Sequence, residues 1–479
     1  MDLFVDPTRP RALSRSLYDQ IRAAIGSGRL LPGERLPSSR RLADDLGVAR
    51  QTIATVYGRL AAEGHVVGRG AAGTFVADEI DVETAGAEGR RSPRGRGAPP
   101  TVLEPRVGLP APLVASETPR FDLRSGSPDL ALFPHVPWRR AALAAAHRAP
   151  TGYGDHAGLP ELRRALARRL ARTRGVIADP EQIVVTTGAQ AAIDLTIRLL
   201  TRPGDVVAVE EPGYPPVRRL IESLDRRVAL VPVDADGIRP DLVPADARLV
   251  YTTPSHQSPT GATLTVARRR ALLAHADRHR QAIVEDDYDS EHRHSDRPLE
   301  PLHLLDTTGR VVYVATFSKT LAPSIRLGCA VFPLVVAPHA VALRAATDVQ
   351  PSDLVQLAIH HLVTSGDLDR HLRRTRKIYA RRHEQVADWV ARMSADGHLT
   401  AWATDHAGLH VAVRLHGITE AALAARLDVL GVRLGSYRDT WVQPPDHEGA
   451  VIGFGNADAE RLDEALGLVE RALTGVRAR

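Results

Sequence analysis

Residues 314–328, VATFSKTLAPSIRLG, give the strongest indication of what the larger part of this chain is. They contain Lys319, and the only other lysine among the 479 residues is Lys377. A guanidinium carries charge as well as an ammonium does, but it stays protonated, whereas a lysine can lose its proton and form a Schiff base. A lysine retained in a chain that otherwise uses arginine therefore indicates amine chemistry at residue 319. The alternative is that the last lysines of a compositionally biased chain fall anywhere.

Length and composition set the outer limits. A chain of 479 residues predicts two or three domains, and 43% apolar with 25% charged residues predicts a soluble globular protein without membrane spans. The first residues have no apolar core of the signal-peptide type, and the single cysteine, Cys329, excludes an internal disulfide and a cysteine-based zinc site. We therefore expect a cytoplasmic protein with no metal site. The net charge of +5 permits a polyanionic partner without requiring one.

A segment of biased composition divides the chain. Residues 79–118 are rich in Pro, Gly, Ala and Arg and have neither helical nor strand periodicity over most of their length, which is typical of a linker. We therefore predict a small basic domain over residues 1–78, a flexible linker over 79–118 and a large domain over 119–479.

The small domain has the pattern of a winged helix-turn-helix. Residues 14–28, SRSLYDQIRAAIGSG, predict one amphipathic helix, and residues 36–64 predict two more, joined at Gly47. Residues 65–78, HVVGRGAAGTFVAD, predict two short strands around a glycine-rich tip. We expect the last helix to enter a DNA major groove, with arginines and the tip on phosphates. The predicted DNA-binding residues are Ser39, Arg40, Arg50, Gln51, Thr52, Tyr57, Gly73 and Thr74.

A small helical module that binds another protein would share this pattern. However, residues 17–76, which contain the core PGERLPSSRRLA, resemble the DNA-binding domain of GntR-type bacterial repressors over its whole length. That resemblance implies that the partner is a double-stranded DNA operator.

The large domain alternates strand patterns with amphipathic helices. The predicted strands are QIVVTT, VVAVEEP, VALVPV, ARLVYTTPS, QAIVEDD, VVYVATFS and GCAVFP. This order is typical of an α/β fold with a mainly parallel sheet, in which ligands bind beyond the carboxyl ends of the strands.

The residues at those strand ends form a chemically coherent set. They supply an amine, a carboxylate, a phenol, a flat aromatic face and a phosphate pocket of hydroxyls, backbone N–H groups and a guanidinium, which together match pyridoxal 5′-phosphate. Asp286 alone would suit a surface loop, Tyr214 a half-buried ring and Gly188 an ordinary helix start. Their occurrence at successive strand ends favours a cofactor site. The set comprises Gly188, Ala189, Gln190, Tyr214, Asp286, Tyr288, Thr316, Ser318, Lys319 and Arg326.

From residue 121 to its end the chain resembles fold-type I aminotransferases, and with the winged helix it resembles the MocR/GabR family of GntR-type regulators. The resemblance implies that Lys319 forms the Schiff base, that Asp286 pairs with the pyridine nitrogen, that Tyr288 holds the phenolic oxygen and that Tyr214 stacks on the ring. The phosphate would be held by Gly188, Ala189, Gln190, Thr316, Ser318 and Arg326. Tyr153 would serve the phosphate site of a neighbouring subunit, which implies a head-to-tail homodimer.

Two positions depart from the aminotransferase pattern. Ser258, in SPTG, stands where aminotransferases usually have the asparagine that contacts the phenolic oxygen. Ala450 or Val451 stands where they have the arginine that binds an α-carboxylate, a contact that an apolar side chain cannot replace. Either Arg433 or Arg438 substitutes from a nearby loop, or the effector is not a plain α-amino acid.

Three functional hypotheses follow. The first is a transcription regulator whose aminotransferase-like domain senses an amine, an amino acid or pyridoxal phosphate itself through the Lys319 aldimine. The second is a catalytically active aminotransferase with an accessory DNA-binding domain, which sustained turnover with a keto acid would favour. The third, an architectural DNA-binding protein with an inactive second domain, is disfavoured because the cofactor residues are intact.

Overall fold

The computed structural model describes residues 13–78, 119–148, 152–293, 300–403 and 407–475. The chain divides into two compact units, Met1–Glu104 and Pro105–Arg479. The predicted linker, residues 79–118, lies outside the described residues.

The first unit is a helix-turn-helix with a small wing, as predicted. Its elements are α1 (Leu13–Gly26), α2 (Ser39–Leu46), α3 (Arg50–Ala62), β1 (Val66–Gly68) and β2 (Thr74–Val76). The Ser38 hydroxyl caps α2 by accepting from the backbone N–H of Arg41 at 3.2 Å, and Gly47 ends α2 with a φ of 65°. A left-handed residue at this position suits glycine, so the turn between α2 and α3 is encoded locally.

Apolar faces of these helices form the core of the first unit. Leu17 and Ile21 of α1 pack with Ile53 and Leu60 of α3, all fully buried. The opposite face of α3 is thereby left to solvent.

The second unit carries the remaining elements. Its helices are α4 (His135–Ala146), α5 (Pro160–Arg174), α6 (Ala189–Leu200), α7 (Pro215–Ser223), α8 (Val266–Arg278), α9 (Leu302–Leu305), α10 (Ala337–Thr347), α11 (Asp353–Thr364), α12 (Asp367–Ala395), α13 (Glu420–Val429) and α14 (Ala459–Thr474). Its strands are β3 (Phe121–Leu123), β4 (Ile183–Thr186), β5 (Val206–Glu211), β6 (Arg227–Asp234), β7 (Gly237–Ile238), β8 (Ala247–Thr252), β9 (Ala282–Asp286), β10 (Val311–Thr316), β11 (Gly328–Val331), β12 (Leu399–Ala401), β13 (His410–Leu415), β14 (Val432–Leu434) and β15 (Gly449–Gly453).

An eight-stranded sheet, in the order β4, β11, β10, β9, β8, β5, β6, β7, forms the centre of this unit. Only β11 and the two-residue β7 run antiparallel to their neighbours. Apolar side chains on both faces are buried against helices, which explains the unbroken apolar runs in the sequence. Because β8, β9 and β10 run parallel to one another, their carboxyl ends lie at one edge of the sheet.

A smaller C-terminal subdomain completes the fold. It contains the three-stranded sheet β12, β13, β15, and its core includes residues of α12, α13 and α14. Strand β3 pairs in parallel with β14, with Leu123 opposite Leu434. This pairing brings the start of the second unit to the C-terminal subdomain. Within the described residues, no helix is both long and apolar enough to cross a membrane.

Candidate cofactor site and nucleic-acid interface

Lys319 lies in a cavity of about 560 Å³ at the edge where the parallel strands end. It follows β10, and its Nζ atom donates a hydrogen bond to the carbonyl oxygen of Gly126. The structure brings most of the predicted cofactor residues to this cavity. Those that line it are Ala189, Gln190, Tyr214, Asp286, Tyr288, Thr316, Ser318, Lys319 and Arg326.

Burial changes the proton affinity of the lysine. It lowers the pKa of Lys319 below its ordinary value of 10.5, although the negative charges of Asp289 and Asp286 act in the opposite direction. A lower pKa increases the share of the neutral, nucleophilic amine. His292 fixes the backbone at this point, because its Nε2–H donates to the Lys319 carbonyl oxygen at 2.9 Å.

Asp286 ends β9 and presents an unused acceptor. The Tyr251 hydroxyl donates to its Oδ2 atom at 2.8 Å, whereas its Oδ1 atom is buried and has no hydrogen-bond partner. Burial raises the pKa of Asp286 to about 7, against the stabilising bond from Tyr251. A buried carboxylate oxygen without a partner is costly, and a protonated pyridine nitrogen would satisfy it.

Tyr288 is half-buried in the wall of the cavity. The Ser258 and Tyr288 hydroxyls share a hydrogen bond, and burial raises the pKa of Tyr288 well above its ordinary value. His256 Nδ1 lies 2.8 Å from Asp289 Oδ2 and 3.1 Å from the Tyr288 oxygen. Because a carboxylate can only accept, the proton lies on His256 Nδ1, and the Tyr288 hydroxyl has to donate elsewhere.

His410 forms a buried group with His256 and Asp289. Each side chain offers one nitrogen or oxygen atom that could bind a metal ion, and these atoms lie within 4.8 Å of one another. Its Nε2–H already donates to the Pro259 carbonyl oxygen at 3.0 Å, and burial lowers the pKa of His410 to about 3. We therefore interpret these side chains as a hydrogen-bonded support for Tyr288.

The N-terminus of α6 and the side chain of Arg326 define the opposite end of the cavity. Gly188, just before α6, has a φ of 102°, and a Cβ atom there would lie 3.3 Å from the guanidinium of Arg326. Arg326 itself has a φ of 48°, which is uncommon for a residue with a side chain. Strain of this kind concentrates at functional sites, and a helix N-terminus beside a guanidinium suits a phosphate.

Hydroxyl groups flank the same end. The Thr316 side chain lies 3.0 Å from the Ser318 hydroxyl and also accepts from the Ser318 backbone N–H at 3.2 Å. Gln190 donates to the Pro216 carbonyl oxygen at 3.2 Å, and its Oε1 atom is buried without a partner. Tyr214 lines the cavity and is 41% exposed, which suits a ring that stacks on a cofactor.

Two predicted cofactor residues lie outside the cavity lining. Gly188 adjoins Arg326 as described, and Tyr153 is 89% exposed. The predicted contact of Tyr153 with a neighbouring subunit stays a prediction.

The position expected to bind a carboxylate is apolar. Val451 lines the cavity, whereas Ala450 is buried in the core of the C-terminal subdomain. Neither proposed substitute lines the cavity: Arg433 lies 3.6 Å from Asp428, and exposed Arg438 donates to the Trp441 carbonyl oxygen at 3.2 Å. Among the described residues, therefore, neither Arg433 nor Arg438 replaces the arginine of the aminotransferases in the cavity lining.

Sequence reasoning missed Tyr251, Gly126 and His410. Tyr251 carried a signal, because a phenol at a buried position of the strand beside the Asp286 strand needs a polar partner. Gly126 reaches the cavity through β3, which pairs with β14 about three hundred positions later. His410 begins β13, which pairs with β15 about forty positions later, so no local pattern reveals either residue.

Pyridoxal 5′-phosphate fits this set of donors and acceptors. Lys319 offers an amine, Asp286 an unpaired buried oxygen, Tyr214 a ring face and Arg326 with α6 an anion site. The fit rests on the partnerless oxygen of Asp286 and on the space that Gly188 leaves beside Arg326.

The nucleic-acid interface predicted for the first unit lies on the exposed face of its helices. Arg40, Arg50 and Gln51 are exposed, and Ser39 and Thr52 are half-buried. Within residues 13–78, neither Arg40 nor Arg50 makes an ion pair, whereas Arg59 is paired with Glu63 at 3.0 Å. Exposed guanidinium groups without an ion pair suit DNA phosphates.

The wing presents its tip beside another arginine. Gly73 and Thr74 are half-buried, and a Cβ atom at Gly73 would lie 3.1 Å from the Arg35 side chain. The prediction for Tyr57 requires correction. Its side chain is 7% exposed and its hydroxyl donates to the Pro37 carbonyl oxygen at 2.9 Å, so Tyr57 joins α3 to the core and is not available to DNA.

Comparisons with known proteins find two families in this chain. Residues 13–76 match the family of bacterial regulatory proteins of the gntR type, and residues 118–428 match aminotransferase class I and II.

Two curated relatives extend over nearly the whole chain. The probable rhizopine catabolism regulatory protein MocR of Rhizobium meliloti is 33% identical over 99% of this chain and 97% of its own. The pyridoxine biosynthesis transcriptional regulator PdxR of Corynebacterium glutamicum is 31% identical over 99% of both chains.

Among solved structures, kynurenine aminotransferase of Pyrococcus horikoshii matches with a TM-score of 0.68 and 25% identity. The match covers 75% of this chain and 92% of that protein. An archaeal alanine:glyoxylate aminotransferase matches with a TM-score of 0.70 and 25% identity over 74% of this chain and 91% of its own. The second unit therefore has the aminotransferase fold.

Proposed function

The chain belongs to the MocR-type transcriptional regulators of the GntR family, and we propose that pyridoxal 5′-phosphate bound at Lys319 makes its DNA binding responsive to a small molecule. The observation that carries the proposal is the joint placement of Lys319, the partnerless Oδ1 of Asp286 and the guanidinium of Arg326 around one cavity.

Each end of the cavity has a role in holding the cofactor. Asp286 accepts from the pyridine nitrogen, while Tyr288, supported by Ser258 and His256, donates to the phenolic oxygen. The N-terminus of α6 and Arg326 hold the phosphate, and Tyr214 stacks on the ring. When bound, the cofactor supplies an aldehyde that reversibly captures primary amines.

Lys319 links the cofactor to the signal. Its lowered pKa keeps the amine available for attachment, and its bond to the Gly126 carbonyl oxygen gives the freed side chain a partner. The signal is either a primary amine or amino acid that takes the place of Lys319, or the arrival of the cofactor itself. The name of the PdxR relative, a regulator of pyridoxine biosynthesis, supports the second version, whereas the Asp439 carboxylate in the cavity lining supports the first.

The ligand acts on DNA binding through a homodimer with two arrangements. A ligand shifts such an equilibrium only by its different affinities for the two states, about 1 to 3 kcal/mol in typical couplings. The exposure of Tyr153 supports a head-to-tail dimer in which this residue reaches the neighbouring phosphate site.

Val451 distinguishes the regulator from an active aminotransferase. Because an apolar side chain lies where an α-carboxylate would bind, we expect no sustained transamination of α-amino acids. Steady keto acid formation over many turnovers would instead favour the enzyme hypothesis.

The visible absorption spectrum with added pyridoxal 5′-phosphate tests the proposal. We expect an absorption band from protein-bound cofactor in the parent and in Lys377→Arg, but not in Lys319→Ala. Lys377 is the matched control because it is exposed and the only other lysine. After borohydride reduction, mass spectrometry should find the label on residue 319 alone. No band in the parent, or a label on Lys377, would refute the proposal.

A further inference from the structure

A set of cavity-lining residues without positive charge has the character of a binding site for a cation. These residues supply hydroxyl groups, an apolar side chain and one carboxylate, and they are Ser125, Ser127, Ser258, Ser436, Asp439, Thr440 and Val451. Because burial lowers the pKa of His410 to about 3, this histidine adds no positive charge.

Asp439 is the one charged group of the cavity lining that the cofactor does not engage. Lys319, Asp286 and Arg326 have the roles proposed above, and they are the other charged residues of the lining. Across the described ranges of the second unit, the Asp439 carboxylate makes no ion pair. A ligand that reaches past the cofactor therefore meets one unpaired negative charge and no positive one.

The backbone holds Asp439 in place. Its N–H donates to the Ser436 hydroxyl at 3.1 Å, and the neighbouring Arg438 N–H donates to Glu420 at 2.8 Å. On the other side, the Thr440 carbonyl oxygen accepts from the Gly213 N–H at 3.0 Å. Because Gly213 precedes Tyr214, these bonds tie the Asp439 segment to the cofactor end of the cavity. Because the backbone at Asp439 is held in this way, the segment loses little freedom when its side chain binds a ligand.

We propose, on the premise of the proposed function, that the effector is a diamine without a carboxylate, and that its second ammonium group pairs with Asp439. A carboxylate-bearing amine would meet Val451 where it needs an arginine, and it would be repelled by Asp439. A monoamine would leave Asp439 without a partner. The hydroxyl groups of Ser436 and Thr440 supply further acceptors for an ammonium group.

Amine titrations of the cofactor-loaded protein test this inference. The probes are 1,4-diaminobutane, butylamine, 4-aminobutanoate and L-alanine, and the readout is the amine concentration that half-changes the cofactor band. We expect 1,4-diaminobutane to act at about two- to fivefold lower concentration than butylamine, since one ion pair with an exposed carboxylate is gained. The two amino acids should be weaker than butylamine.

The variant Asp439→Asn should abolish the preference for the diamine. Asp446→Asn, which makes the same change on an exposed aspartate outside the cavity lining, should preserve it. The inference is overturned if either amino acid matches the diamine, if Asp439→Asn leaves the ratio unchanged, or if the cofactor band forms and no amine alters it. Absence of the band in the parent would refute the proposed function, and the inference with it.

Discussion

Replacing Asp286 by asparagine should make the cofactor-free protein less sensitive to alkaline pH while destroying its hold on the cofactor. Burial raises the pKa of Asp286 from 3.8 to about 7 in the folded state. Between these values the unfolded carboxyl is ionised while the folded one is still protonated, so stability falls as the pH rises. Asparagine keeps an oxygen that accepts from the Tyr251 hydroxyl and carries no charge.

The magnitude follows from the pKa change. Each pKa unit is worth about 1.4 kcal/mol, so ionised Asp286 costs about 4 kcal/mol above pH 7, of which about 2 kcal/mol develops between pH 5.5 and pH 8. The side chain is 4% exposed, so solvent screens little of this cost. Glu285, whose pKa burial also raises to about 7, titrates in both proteins and cancels in their difference.

Urea unfolding at both pH values measures the effect. Tryptophan fluorescence reports on the second unit alone, because it contains all four tryptophans, Trp138, Trp389, Trp402 and Trp441. We expect the parent to lose about 2 kcal/mol more than Asp286→Asn between pH 5.5 and pH 8. Cofactor affinity should fall in the variant at every pH. Equal pH dependence in the two proteins would refute the claim that ionised Asp286 destabilises the cofactor-free protein.

Two further variants probe the phosphate end and the DNA surface. Gly188→Ala should lower cofactor affinity and cost about 1–3 kcal/mol of stability in urea unfolding, because its Cβ would crowd Arg326 at a positive φ; Gly467→Ala, in an open helical position, should not destabilise. Equal effects of both glycine changes would contradict this role of Gly188. Arg50→Ala should reduce the slope of log affinity against log salt by about one in DNA titrations, whereas Arg59→Ala, already ion-paired, should change it less. The same slope in Arg50→Ala as in the parent would remove Arg50 from the phosphate contacts.

The sequence predicted those parts of the site that follow from local order. Lys319 and Asp286 come at or just after the ends of parallel strands, and parallel strands place such residues at one edge of a sheet. Gly188 was visible for a similar reason, since a glycine between a strand and a helix indicates a turn.

What could not be predicted depends on contacts between distant segments. Strand β3 joins β14 about three hundred positions later, which brings Ser125 and Gly126 to the cavity. Asp439 reaches it because its chain neighbours Arg438 and Thr440 form hydrogen bonds with Glu420 and Gly213, which leave no periodic trace in the sequence. Tyr57 was predicted wrongly because a tyrosine on a helix can either pack in the protein core or contact DNA, and the sequence does not distinguish the two. The hydrogen bond from its hydroxyl to the Pro37 carbonyl oxygen places it in the core.

Dependence of DNA binding on Lys319 is the most direct test of the account. The measurement is the affinity of the parent, Lys319→Arg and Lys377→Arg for a duplex that the parent selects from a random pool. Each is titrated without cofactor, with pyridoxal 5′-phosphate, and with the cofactor and 1,4-diaminobutane. We predict that at least one addition changes the affinity of the parent and Lys377→Arg about five- to 150-fold and leaves Lys319→Arg unchanged. Identical affinities in all three states of the parent, or equal changes in Lys319→Arg, would contradict it.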